Sequence, residues 1–263
     1  MSGILKKIAA HKLAQIQTRK AGLPEAELEK MAFETPLSGF PMREMLKRPA
    51  GAPIRVLAEC KKASPSRGIL IPDYDPVALA TSYWKGTASG ISVLTETEFF
   101  LGEDVHLRDV ARSVKLPVLR KDFTLERYQI LEARCLGASA ILLIAALHDT
   151  ATLKQLNHAA LELGLDVILE VHNEWELDSA LEVAPPIIGI NNRNLDTFEV
   201  SLETTYDLLE RIPKGNVVIS ESGIFNRDQT SELEVAGVDA VLVGEGVGTS
   251  GDPLGKVREL RGL

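Results

Sequence analysis

Glu59 and Lys61 stand two residues apart where the apolar run Val56-Leu57-Ala58 ends. Positions two apart in a strand share a face, so a carboxylate and an ammonium project together from one strand end. Such a pair suits acid–base work on a bound molecule. It also suits a structural ion pair, although burying opposite charges costs desolvation that only good geometry offsets. Ser64, Pro65, Ser66 and Gly68 follow at once, so the strand ends in a turn-forming, hydroxyl-rich loop. Other short apolar runs also end on polar residues: Ser92, Thr95 and Glu96; Arg120, Lys121 and Asp122; Glu170 and His172; Asn191, Asn192 and Arg193; Ser220, Glu221 and Ser222; and Gly244-Glu245-Gly246. One run, Leu143-Ile144-Ala145, ends apolar. Every buried polar group must find a partner, so a purely structural scaffold has no need of such a set.

The elements that must position these residues can be read from their spacing. Apolar runs centre near Val56, Ile91, Val118, Ile141, Val167, Ile188, Val218 and Val241, between 21 residues (167 to 188) and 35 residues (56 to 91) apart. Each gap holds one crossover helix and two loops. Asp75-Pro76 reads as a helix cap with proline at the first helical position, and Gly137, Gly164 and Gly237 stand where helices should stop. Near-continuous apolar strands such as Ala140–Ile144 require burial on both faces, as in parallel sheets. Eight strand–helix units predict a (β/α)8 TIM barrel, whose chemistry gathers at the C-terminal strand ends. An open doubly wound sheet is the rival, but no G-x-G-x-x-G follows the first strand.

Before the first strand, residues 3 to about 20 read as a helix with Ile4, Leu5, Ile8, Leu13 and Ile16 on one stripe and lysines between. Helical patches near Leu28, Met31 and Ala32 and over Met42–Leu46 follow. The expected organisation is one barrel domain over residues 1–263, of which 1–48 is a helical extension lying over the barrel. His11, His106, His148 and His158 read as surface residues, His172 as close to the pocket, and Trp84 and Trp175 as helix packing.

Of the 263 residues 45% are hydrophobic and 25% charged, an ordinary globular composition. A net charge of −8 argues against a nucleic-acid partner, so an anionic substrate must be caught by local positive charge. No run approaches the ~18 apolar residues of a membrane span, and no secretory leader is evident. Two cysteines, Cys60 and Cys135, make no disulfide framework and read as small buried hydrophobes in a cytoplasmic protein. No His or Cys spacing suggests a metal site. Glycines after the last two runs, at Gly223 and Gly244, let backbone N–H groups approach an anion, which marks a phosphate site.

Six ordered motifs are shared with a known family: Glu59-x-Lys61-x-x-Ser64-Pro65-Ser66, Ile91-Ser-Val-Leu-Thr-Glu96, Leu119-x-Lys121-Asp-Phe123, Leu169-Glu-Val171, Gly189-Ile-Asn-Asn-Arg193 and Ser220-Glu-Ser-Gly223. With the Ile4–Ile8 helix before them, they resemble indole-3-glycerol-phosphate synthase over nearly the whole chain. The resemblance implies a cofactor-free enzyme of tryptophan biosynthesis. Its substrate would be the small phosphorylated molecule 1-(2-carboxyphenylamino)-1-deoxy-D-ribulose 5-phosphate, converted to indole-3-glycerol phosphate by ring closure, decarboxylation and dehydration. It also allows contact with other enzymes of the pathway.

By the same resemblance Lys121 is the acid of ring closure and Lys61 meets the anthranilate carboxylate. The later proton transfers are left among Lys61, Glu59 and Glu170. Asn191 orients a substrate hydroxyl or Glu59, and Ser222 touches the hydroxyl chain. Arg193 shapes the mouth and Glu221 joins the substrate site. Ser64, Gly223, Gly244 and the Glu245 backbone fit the phosphate. Ala63 stands where many relatives carry a basic residue, Glu245 where some carry serine, and Gly246-Val-Gly248 is richer in glycine than usual. These departures bear on phosphate affinity. A phosphoribosyl isomerase of the same barrel type would share the phosphate site without needing the Glu59/Lys61 pair beside Lys121 and Glu170. A barrel kept only as a binding scaffold would have lost its strand-end polar groups.

Overall fold

The computed structural model describes residues 3–194 and 197–263. Eight parallel strands close into a barrel: β1 Arg55–Cys60, β2 Gly90–Leu94, β3 Val118–Lys121, β4 Ala140–Ile144, β5 Asp166–Val171, β6 Ile187–Asn191, β7 Val217–Glu221 and β8 Ala240–Val243. β8 pairs back onto β1, with Leu242 opposite Leu57. This is the (β/α)8 TIM barrel that the spacing predicts, and its closure excludes the open sheet.

Helices α1 Gly3–Gly22, α2 Glu25–Glu34 and α3 Met42–Leu46 precede β1. Around the barrel run α4 Pro76–Lys85, α5 Asp104–Ser113, α6 Arg127–Cys135, α7 Thr150–Glu162, α8 Glu174–Val183, α9 Glu203–Leu209, α10 Arg227–Ala236, the short α11 Glu245–Gly248, and α12 Pro253–Arg261. Local chemistry sets their ends. Asp75 Oδ1 accepts the N–H groups of Val77 and Ala78, both at 3.0 Å, and Pro76 opens α4. Gly237 ends α10 at φ 103°, a left-handed turn that a residue without Cβ adopts freely.

Strand alternation splits the core into two shells. Inward-facing Leu57, Leu119, Leu142, Ile168, Ile187, Ile219 and Leu242 fill the barrel. Outward-facing Val56, Ala58, Ile91, Ile141, Val167 and Val241 pack beneath the helices. Cys60 is buried in the outer shell and Cys135 is half-buried, and both are free thiols.

The helices before β1 do more than lie over the barrel. α1 buries Leu5, Ile8, Lys12 and Ile16, one face at spacings of three and four. Leu13 falls one position off that face and is exposed, whereas Lys12 lies on it. The buried ammonium is neutralised by Asp122 at 2.9 Å. α3 lies at the opposite end. The Arg43 N–H donates to the carboxylate of Asp166, where β5 starts, at 2.8 Å. Met42 and Leu46 are fully buried within the inner barrel cluster. The segment thus covers the mouth with α1 and plugs the base with α3, so part of it builds the core. Side-chain exposure also departs from expectation at Trp175, which is 83% exposed and packs no helix, and at His11, His106 and His148, which are half-buried.

The plug makes a prediction. Leu46→Ala leaves a cavity beneath the barrel and lowers stability in urea unfolding by about 2–5 kcal/mol. Leu13→Ala stays within about 0.5 kcal/mol. Equal, small effects would show that α3 is dispensable to the core.

Candidate active site

Parity decides what faces the mouth. Glu59 of β1, Lys121 of β3, Glu170 of β5 and Glu221 of β7 are the last inward-facing residues of alternate strands. They form one layer of four, the pattern a barrel of this kind imposes. Lys121 Nζ lies 2.8 Å from Oε2 of Glu170 and 2.8 Å from Oε2 of Glu221. Lys61 Nζ lies 2.6 Å from Oε1 of Glu59. Asn191 of β6 donates its Nδ2–H to Oε1 of Glu170 at 3.2 Å, and its own Oδ1 accepts the Arg193 N–H at 3.0 Å.

The electrostatics follow from burial and contact. Burial disfavours the Lys121 ammonium, but Glu170, Glu221 and Glu59 outweigh it and hold the proton on more firmly than in water. Burial alone would raise the Glu170 carboxyl. The charges of Lys121 and His172 reverse that and hold it well below the usual carboxylate range. Glu221 goes the other way. Burial and the charge of Glu170 prevail over Lys121, so its carboxyl is pushed up to about 7. Two neighbouring carboxyls are thereby driven apart, one firmly ionised and one poised near neutrality.

All twelve residues selected from the sequence line one cavity above this layer: Glu59, Lys61, Ser64, Lys121, Glu170, Asn191, Arg193, Glu221, Ser222, Gly223, Gly244 and Glu245. Apolar walls come from Leu94, Phe100, Phe123, Leu142 and Ile144, and α1 adds Ile4, Leu5 and Ile8. On the rim, Ser222 at φ 71° and Gly223 at φ 80° make a tight left-handed turn. The Ser222 carbonyl accepts from Asn192 Nδ2 at 3.1 Å. Gly244 leads into α11, whose first N–H groups have no intrahelical partners. The loop after β1 folds back as a hairpin, Ala63–Ser64 against Gly68–Ile69, and brings Arg67 to 3.3 Å from Glu245. Among the described residues no cluster of His, Cys, Asp and Glu is arranged to hold a metal ion.

Several strand-end polar residues turn out to be structural. Glu96 accepts the N–H groups of Glu98, Phe99 and Phe100 and fixes the loop after β2. Thr95 donates to Asp122 at 2.7 Å. Arg120 is fully buried on the outer side, with Asp104 at 2.9 Å and Glu132 at 3.2 Å. Asn192, Ser220 and Thr205 bond one another.

Three features escaped the sequence reading. Glu221 grips Lys121 directly, a contact spanning 100 residues. His172 does not line the cavity but contacts Glu170, with Nε2 at 3.3 Å from Oε1. Gly189 is needed for room, since a Cβ there would overlap Oε1 of Glu221. A glycine inside an otherwise apolar strand was the available signal for the last.

The closed parallel barrel, with its charged layer below a glycine-rich rim, defines an enzyme that works on a small molecule at the C-terminal strand ends. Solved structures share the fold. Thiamine phosphate pyrophosphorylase from Pyrococcus furiosus aligns over 84% of this chain and 96% of its own at 17% identity and a TM-score of 0.61. The tryptophan synthase A-subunit from the same organism aligns over 80% and 98% at 17% identity and a TM-score of 0.59. For 3-hexulose-6-phosphate synthase from Salmonella typhimurium the figures are 80% and 97%, 12% and 0.60. At such identities the likeness is one of fold. The family model of indole-3-glycerol phosphate synthase matches residues 5–260. The chain belongs to that family, whose reaction makes it a carboxy-lyase of tryptophan biosynthesis acting on a phosphorylated small molecule.

Gly244 supplies a prediction that corrects a simple view of the phosphate site. A Cβ at this position would overlap Oε1 of Glu59. Gly244→Ala therefore lowers kcat as well as raising KM, because it displaces the Glu59–Lys61 pair. A change confined to KM would assign the glycine to phosphate approach alone.

Proposed function

We propose how this site performs the family's reaction, the conversion of 1-(2-carboxyphenylamino)-1-deoxy-D-ribulose 5-phosphate to indole-3-glycerol phosphate. The observation that carries the reading is Lys121, a buried ammonium between two carboxylates at the floor of a cavity with one apolar wall. In the first step the aryl carbon bearing the carboxylate attacks the C2 carbonyl of the ribulose chain, and electrons move onto that oxygen. Lys121 gives it a proton. An alkoxide is a stronger base than an amine, so even a tightly held ammonium can donate, and before transfer its charge stabilises the developing oxyanion. Loss of CO2 then returns its bonding pair to the ring system. Loss of the C2 hydroxyl as water needs an acid at that oxygen and a base for the ring proton.

Lys61, Glu59 and Glu170 are the groups within reach for this last step, and we leave its division among them open. Glu170, held ionised, suits a base. Lys61 also meets the substrate carboxylate. Glu221, poised near neutrality, offers either a donor or an acceptor to a substrate hydroxyl, and Asn191 and Ser222 orient the hydroxyl chain. The apolar wall of Leu94, Phe100, Phe123, Leu142 and Ile144 takes the aromatic ring, with Ile4, Leu5 and Ile8 as its cover. Ser64, Gly223, Gly244 and the Glu245 backbone hold the phosphate, Arg193 guards the mouth, and Arg67 restores to the rim the charge missing at Ala63. The whole chain reads as one domain with residues 1–48 as its helical extension. The acidic balance, the free thiols and the absence, among the described residues, of a helix long and apolar enough to cross a membrane support a cytoplasmic enzyme with no nucleic-acid partner.

Incubating the pure protein with this substrate tests the reading. Indole fluorescence and CO2 are expected to appear one for one without added cofactor. Lys121→Met keeps the stem and removes the proton, so kcat falls by at least ~10²–10⁴-fold while product binding changes far less. Absence of both products from the wild-type chain overturns the assigned reaction. Near-normal turnover by Lys121→Met overturns only the acid assignment and passes it to Lys61.

A further inference from the structure

His172 lies one residue beyond β5 and does not line the cavity. Its ring is nearly buried, with the side chain 10% exposed. Nδ1 lies 3.0 Å from Oε2 of Glu176 in the first turn of α8. Because a carboxylate only accepts, Nδ1 carries a proton. Nε2 lies 3.3 Å from Oε1 of Glu170, a charge contact without hydrogen-bond alignment. A bare lone pair facing a carboxylate would repel it, so the contact favours a proton on the second nitrogen as well, which makes the ring an imidazolium.

The clamp on this ring is built in. Glu176 Oε2 also accepts the His172 backbone N–H at 2.8 Å, and Oε1 accepts from Asn173 Nδ2 at 2.8 Å. Asn173 in turn caps α8 by accepting the Glu176 N–H at 3.0 Å. These backbone and amide bonds hold the β5–α8 loop without the imidazole. What the ring adds is a cation on one oxygen of Glu170.

Glu170 is consequently held from both sides. Lys121 takes Oε2, and Asn191 and His172 take Oε1. Facing this group across the barrel are Glu221 from β7 and Glu59 from β1, both carboxylates, and Lys121 from β3. Without the imidazolium, two ammoniums, Lys121 and the Lys61 paired with Glu59 at 2.6 Å, would have to balance the three carboxylates of the layer.

We infer that His172, clamped by Glu176, is a positioning residue that keeps Glu170 ionised and oriented without itself lining the cavity. The inference rests on the acid–base role proposed for Glu170. Charge supports it: burial would push the imidazole down, but Glu170 and Glu176 raise it to about 10. The ring therefore stays protonated across the neutral range.

The test uses the full chain and two readouts. For His172→Gln, kcat falls by about tenfold or more while KM stays within about threefold. A raised Glu170 pKa means that its carboxylate is lost at higher pH, so the acid limb that Glu170 sets in the kcat profile moves up toward the ordinary carboxylate range. His172→Lys restores a cation and part of the rate. The second readout needs no turnover: a carbon-13 titration of the Glu170 carboxyl, identified by its loss in Glu170→Gln, moves up in His172→Gln. If that variant does not fold, Glu176→Gln keeps the ring, weakens its protonation and gives a smaller shift in the same direction. An unmoved Glu170 titration in the folded variant overturns the inference, as does a loss of kcat with an unmoved acid limb. A carboxyl shift between the wild type and His172→Gln, with no indole product from the wild type, would refute the assigned reaction and leave the electrostatic role standing.

Discussion

The site depends on one buried ion cluster, the Lys121 ammonium held at 2.8 Å by both Glu170 and Glu221. With Glu59, these side chains form the top layer of the barrel interior. The side chains of all three carboxylates are at most 5% exposed, and each unpaired charge there carries a heavy desolvation penalty. Removing one partner of such a pair typically costs ~3–5 kcal/mol because the other is stranded. Three carboxylates around one ammonium leave surplus negative charge even with Lys61 on Glu59. The layer relieves it in two ways. Glu221 takes up a proton near neutrality, and an imidazolium outside the cavity shares Glu170. The same imbalance that makes the layer expensive separates its carboxyls into an ionised one and a neutralisable one. Acid–base chemistry at neutral pH requires that separation.

A second set of charges ties this layer to its cover. Of the residues flanking Lys121, Arg120 meets Asp104 and Glu132 away from the cavity, and Asp122, at the cavity's edge, meets Lys12. Lys12 belongs to α1, and Arg19 of the same helix reaches Asp104 at 2.6 Å and Glu132 at 2.8 Å. α1 is thus anchored by one buried ion pair, Lys12 with Asp122, to the residue that follows Lys121, and by the half-buried Arg19 to α5 and α6. Its apolar residues Ile4, Leu5 and Ile8 close over the mouth. One helix both excludes water from the site and packs on the strand bearing its lysine. At the barrel's other end Met42 and Leu46 supply the closure.

Period-two alternation made much of this readable from the chain. Once strands were placed at Val56, Val118 and Val167, the inward positions Glu59, Lys121 and Glu170 followed from parity alone. What stayed hidden depends on contacts between distant strands or on the depth of a helix in the fold. Glu221 was legible as a strand-end carboxylate, but its grip on Lys121 comes from the barrel's closure, which brings β3 and β7 to the same layer. Lys12 looked like a solvated lysine because its partner lies 110 residues away (12 to 122), and Leu13 looked buried because one helical step separates it from the true face. His172 and Glu176 are four apart across a strand end and a helix start, a spacing that neither period picks out. Glu96 was credited to the mouth, yet it is consumed in holding its own loop.

The charge state of Lys121 bears most directly on the claim that its two carboxylates govern the site. A nitrogen-15 titration of the lysine side chains in the full-length protein would read it. A free lysine loses its proton near pH ~10.4. Lys121 is expected to remain an ammonium beyond the pH at which a free lysine titrates in the wild-type protein and to titrate earlier in Glu170→Gln. A Lys121 amine appearing at or below the ordinary value, unmoved by that substitution, would contradict the claim.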